Sequence, residues 1–194
     1  MPVHLGIGDR DDRAISRRHL PHLVSDGSAQ DRARLPNDGA PMLDTWEEGS
    51  HAGSSYGARA AWLDARLAEA ERPVLPFLHR DPMPSGIAPM DEIVMQGAHR
   101  LGDAFESHPG RARRILHGDR RLPMSGSLRD VPFGAPRGTS HAGRAERREA
   151  GSDLPNACAA AMIEDGSIPV HMIEGGHEAA GGARARPTGA HEIA

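Results

Sequence analysis

The sequence predicts an α/β fold, and three observations carry that prediction. Short apolar runs stop abruptly at polar residues, as in "PVLPFLHRDP" (73–82) and "RRILHGDRR" (113–121). Stretches with helical periodicity stand between such runs. Beyond Gly118 the pattern becomes Gly-punctuated segments that read as antiparallel strands.

Taken in order, "VHLGIG" (3–8) reads as a buried strand, "DRDD" (9–12) as a polar turn and "RAISRRHL" (13–20) as a helix. "SAQDRARL" (28–35) and "APMLDTW" (40–46) read as two strands joined by the turn "PNDG". "EEGSHAGSS" (47–55) is a loop. "YGARAAWLDARLAEAE" (56–71) then places Leu63, Leu67 and Ala70 on one helical stripe beside Trp62. A strand at 74–79, a helix in "MQGAHRLGDAFESH" (95–108) and a strand in "ARRILHG" (112–118) follow. "MSGSLRDVPFGAPRGTS" (124–140) and "AAAMIEDGSIPVHMIE" (159–174) complete the antiparallel part. Residues 1–175 are expected to form one domain and residues 176–194, which lack periodicity, a disordered tail.

Composition narrows the function classes. With 38% hydrophobic and 3% aromatic residues over 194 positions, the core must be thin and built from Leu, Ile, Val, Met and Ala. A net charge of −4 argues against a dedicated nucleic-acid binder, which needs a basic face. All 23 basic residues other than histidine are Arg, a bias that points to a GC-rich coding source. Cys158 is the single cysteine, so no internal disulfide can form and a reducing compartment is expected. No apolar run reaches the roughly 18 residues of a spanning helix, and the amino terminus has no leader pattern. These features predict a cytoplasmic protein without membrane attachment.

Three strand ends present polar residues: "GIGDRDD" at 6–12, "FLHRDP" at 77–82 and "ILHGDRR" at 115–121. Ligands of open α/β sheets bind outside the carboxyl ends of strands, so convergence of these ends would make a site. Singly, each has a plainer reading. His79 alone would be a satisfied, partly buried histidine. Asp9, Arg10, Asp11 and Asp12 would be a turn or a helix N-cap, and Asp119 with Arg120 and Arg121 an ion-paired loop. His117 and Asp119 could chelate a metal together, or His117 could face the opposite layer. His51 reads as solvent-exposed.

The words along the chain change those odds. Gly8-Asp9-Arg10-Asp11, Leu43-Asp44-Thr45, Trp62-Leu63, His79-Arg80-Asp81-Pro82 and Gly118-Asp119-Arg120-Arg121 stand in an order and spacing that resemble a known family. That family is the calcineurin-like metallophosphoesterase superfamily, in its class III cyclic-nucleotide phosphodiesterase branch, and the resemblance covers roughly residues 1–175. It implies an α/β/β/α sandwich of two mixed sheets, here without its first strands. It implies a divalent metal, Mn, Fe or Zn, acting in phosphodiester hydrolysis, with one ion or none in this chain. By resemblance, Asp9, His79 and Asp119 fall on ligand positions, and Arg10 replaces a histidine that protonates the leaving oxygen. A guanidinium is no acid near neutral pH. The family's first two motifs have no counterpart, so the resemblance implies a partial domain with an incomplete dinuclear centre. The expected function is that of a phosphodiesterase-like protein with impaired activity towards a cyclic nucleotide or related small phosphodiester. The alternative is a non-catalytic module that binds phosphate or nucleotide through Arg10, Arg80, Arg120 and Arg121, or that serves assembly. A homodimer is an option for covering a sheet edge. Pro41, Pro76 and Pro169, each inside an expected strand, predict a marginally stable or aggregation-prone domain.

Overall fold

The structure, a computed structural model, describes residues 3–24, 28–35, 39–55, 57–119, 122–139, 156–164 and 167–175. The expected tail at 176–194 and both Arg120 and Arg121 lie outside the described residues. The main sheet has six strands in the order β1-β2-β3-β4-β6-β5. These are β1 (Asp31–Arg34), β2 (Gly39–Leu43), β3 (Phe77–Leu78), β4 (Ile115–His117), β5 (Met124–Leu128) and β6 (Val131–Ala135). Strands β2, β3, β4 and β6 run parallel, while β1 and β5 close the two edges antiparallel. A second sheet pairs β7 (Ala157–Ala161) with β8 (Val170–Glu174) antiparallel. The molecule is thus mixed α/β with a six-stranded mixed sheet and a small second sheet, in line with a metallophosphoesterase-like fold.

The helices follow from the pattern that predicted them. Helix α1 (Arg13–His19) starts at Asp12, whose carboxylate accepts from the Ile15 N–H at 2.8 Å. Helix α2 (Ala58–Glu69) buries Leu63 and Leu67 completely. A four-residue helix, α3 (Ala88–Asp91), was not expected from the sequence. Helix α4 (Ala98–Ser107) buries Leu101, Ala104 and Phe105, at the i, i+3, i+4 spacing that covers one helical face. These residues form one core with Leu43, Val74, Leu78, Ile115, Leu128, Val131 and Phe133 of the sheet. Ile7, Leu23, Val24 and Ala29 form a smaller cluster that Leu20 and Trp46 flank.

Two strand expectations need correction. Residues 3–8 form no strand: Ile7 is buried, whereas Val3 and Leu5 are exposed. Gly6 and Gly8 offer no side chain that would pack on a sheet face, which weakens the segment as a strand. The strand expected at 74–79 contracts to Phe77–Leu78, and Pro76 supplies the reason. Val74 bridges Ala112, but Phe77 pairs with Leu116, so the register moves by one residue opposite the proline. Pro76 therefore sits at a bulge, where a missing N–H is tolerated. Its carbonyl still accepts from the Leu116 N–H at 2.9 Å. Pro169 immediately precedes β8, another permitted place, while Pro41 lies within β2 opposite Arg32. The hairpin from β5 to β6 turns through Arg129, whose φ of 53° is the left-handed conformation that tight hairpins use.

Candidate metal centre

Parallel register creates the site. Leu43 pairs with Leu78, and Leu78 with His117, so β2, β3 and β4 end level with one another. The residues that follow, Asp44, His79 and Gly118-Asp119, therefore share one edge of the sheet. The ladder runs one step further, since the Gly118 N–H donates to the His79 carbonyl at 3.2 Å. Asp119 then adopts φ 71°, an unusual conformation for a non-glycine residue that aspartate tolerates better than most.

Three of the residues expected at a metal converge. His79 Nε2 lies 3.3 Å from Asp9 Oδ1 and 3.3 Å from Asp119 Oδ1. One donor atom from each of Asp9, His79 and Asp119 lies within 4.8 Å of the other two. Imidazole with carboxylates suits Mn, Fe or Zn, and three protein ligands leave positions open for water or substrate. The donor set thus fits a single divalent ion. Asp9 is brought there by the loop ahead of α1. Its neighbours are occupied elsewhere: Asp11 accepts from the Gly8 N–H at 2.7 Å, and Asp12 caps α1. The plain reading of the "DRDD" turn is therefore correct for Asp11 and Asp12.

Arginine surrounds this cluster asymmetrically. The Arg80 guanidinium is buried and reaches both carboxylates, with Nη1 2.5 Å from Asp119 Oδ2 and Nη2 3.1 Å from Asp9 Oδ2. Among the described residues its Nε has no hydrogen-bond partner, and its Nη2 has only the ion pair with Asp9. Arg10 Nε lies 3.5 Å from Asp9 Oδ2, but that side chain is 77% exposed. Burial alone would raise the Asp9 carboxyl, but hydrogen bonding and charge from Arg80, then from His79, outweigh it and hold it below its ordinary value. Asp9 is consequently ionised at neutral pH.

His51, expected in solvent, places Nδ1 3.3 Å from Asp9 Oδ2 while its side chain stays 57% exposed. Its Gly/Ser-rich loop carries no spacing that announces this contact. The loop's path depends on Gly53 (φ 68°), where a Cβ would fall 2.3 Å from the Thr45 carbonyl oxygen. His117 does not join the cluster. Its ring is buried against Phe133, with Nδ1 3.0 Å from Asp81 Oδ1. Burial, only partly offset by the Gly118 carbonyl and Asp119, pushes this imidazole down to about 4, so it is neutral at pH 7.

Asp44 stands at the same sheet edge and does a different job. Its carboxylate accepts from Arg13 Nε at 2.8 Å, the Ala29 N–H at 2.9 Å and the Trp46 N–H at 2.9 Å. Arg13 also donates to the Trp46 carbonyl at 2.8 Å and stacks over the Trp46 ring. One buried acid thereby ties α1, the entry to β1 and the exit of β2 together.

No family model matches the chain. The chain is 31% identical over 184 residues to a probable cyclic nucleotide phosphodiesterase of Rhodopseudomonas palustris, across 88% of this chain and 66% of that protein. It is also 31% identical over 130 residues to a glycerophosphodiester phosphodiesterase of Enterobacter lignolyticus, across 64% of this chain and 47% of that protein. The chain therefore spans about two thirds of the first relative and about half of the second. Both likenesses fit the metallophosphoesterase superfamily.

Proposed function

We propose that this protein is a metal-dependent phosphodiesterase of the metallophosphoesterase superfamily, acting on a small phosphodiester such as a cyclic nucleotide. The convergence of Asp9 Oδ1, His79 Nε2 and Asp119 Oδ1 carries this reading. The two phosphodiesterase relatives support it. His79, Asp9 and Asp119 hold one divalent ion, Mn, Fe or Zn. When bound, such an ion polarises a phosphoryl oxygen and makes a water nucleophilic near neutral pH. Arg10, exposed beside Asp9, presents a guanidinium to the incoming phosphate. His51 is the exposed imidazole at the same rim and passes a proton to the departing oxygen, work that the guanidinium of Arg10 cannot do.

Substituting the ligands one at a time tests the reading. Asp9→Ala, His79→Ala and Asp119→Ala should each abolish Mn(II)-dependent turnover of a chromogenic phosphodiester and weaken Mn(II) binding, while the fold persists. Unchanged turnover in Asp9→Ala and His79→Ala would contradict it. Nucleotide binding that survives both substitutions and a chelator would favour a non-catalytic phosphate-binding module built on Arg10.

A further inference from the structure

The Arg80 guanidinium lies in the candidate metal centre itself, bridging two of its three ligands. Each aspartate divides its oxygens the same way: Oδ1 faces His79 Nε2 and Oδ2 faces Arg80. Two carboxylates this close would repel, and one buried guanidinium between them removes that repulsion. Its fixed fork also holds both carboxylates in one orientation, which a flexible ammonium does not do.

Arg80 is 1% exposed, and its Nε is buried without a hydrogen-bond partner among the described residues. An unsatisfied buried donor is costly, so its retention calls for an explanation. The surroundings fix its course. The Arg80 N–H donates to Thr45 Oγ1 at 3.4 Å, and a Cβ on Gly53 would come within 3.0 Å of Arg80 Cγ. The side chain thus runs past a glycine that leaves room for it.

We propose that Arg80 is a positioning residue that holds Asp9 and Asp119 for a single divalent ion and keeps a second ion from their Oδ2 atoms. This rests on the metal reading given above. Its fork takes the Oδ2 atoms, so only the Oδ1 atoms and His79 Nε2 are left to ligate. A second ion would have to displace a buried, doubly paired guanidinium. With one ion bound, two carboxylates, one guanidinium and one divalent cation sum to a single positive charge, matched to a phosphodiester monoanion.

Mn(II) binding to the full chain tests this, followed by equilibrium dialysis and by the electron paramagnetic resonance of bound Mn(II). The native chain should bind one ion, with the isolated-ion spectrum. Arg80→Met should bind it about 10- to 100-fold more weakly, the usual loss when an outer partner of a ligand is removed. Arg80→Lys keeps the charge but not the fork, and should fall between the two with a broadened spectrum. Arg80→Lys also carries the test if Arg80→Met fails to fold. Two ions bound by the native chain, or Mn(II) held by both folded variants as tightly as by the native chain, would overturn the role of Arg80 and leave the metal reading standing. No Mn(II) bound by the folded native chain would overturn the metal reading and this inference with it.

Discussion

Gly8 lies directly against the ring of His79: a Cβ at position 8 would stand 2.9 Å from His79 Cε1 and 3.1 Å from Nε2. That is closer than side-chain carbons approach, and the ring is already engaged with Asp9 and Asp119. Gly8→Ala should therefore turn the imidazole and weaken Mn(II) binding about tenfold, the low end for disturbing a ligand's support. Gly118→Ala is the control, because a Cβ there meets His79 Nδ1 at 3.8 Å, an ordinary contact. Dialysis of both variants against Mn(II) checks the contrast. Equal affinities would mean that the close approach does not govern the ligand.

The contact of His51 with Asp9 predicts a catalytic effect separable from metal binding. His51→Ala should lower kcat about 100-fold, the low end for a general acid, and leave Mn(II) affinity within about twofold. The side chain is largely exposed, so the fold should not suffer. Turnover measured at saturating Mn(II) decides. A kcat equal to that of the native chain would assign the proton to another group.

Asp44 predicts an acid-sensitive fold. Burial raises this carboxyl, but the hydrogen bond from Arg13 and those from the Ala29 and Trp46 N–H groups more than reverse that, leaving it below its ordinary value of 3.8. A depressed carboxyl binds its proton more weakly in the folded chain than in the unfolded one. Its stabilisation is therefore full above about pH 4 and disappears as the pH falls through the folded value. Asp44→Ala leaves Arg13 and two backbone donors without their acceptor, and should cost about 3–5 kcal/mol near pH 7. Urea unfolding at a series of pH values should show the gap between native and Asp44→Asn chains narrowing below about pH 4. A gap constant from pH 7 to pH 3 would contradict this account.

The readable part of the fold was the part governed by local periodicity. Leu63 and Leu67 announced α2, and the apolar runs ending at His79 and Gly118 announced two strands, which the structure places side by side and parallel. Two of the site's residues, His79 and Asp119, were legible for the same reason, because residues just past level strand ends must share an edge. Asp9 needed the resemblance, since nothing local separates it from Asp11 and Asp12. Arg80 and His51 were hidden by their long-range contacts. Arg80 bridges residues 9 and 119, a pairing that only the folded sheet creates. The segment at 3–8 misled because "VHLGIG" has the composition of a buried strand, whereas burial there is confined to Ile7.

On the proposed function, the cluster of Asp9, His79 and Asp119 works as a metal-dependent phosphodiesterase centre. Hydrolysis of bis(4-nitrophenyl) phosphate by the full chain, with Mn(II) and after chelation, beside the His79→Ala variant, tests it most directly. Turnover should require both Mn(II) and His79. Absence of turnover from a folded, Mn(II)-loaded chain, or turnover indifferent to His79, would contradict it.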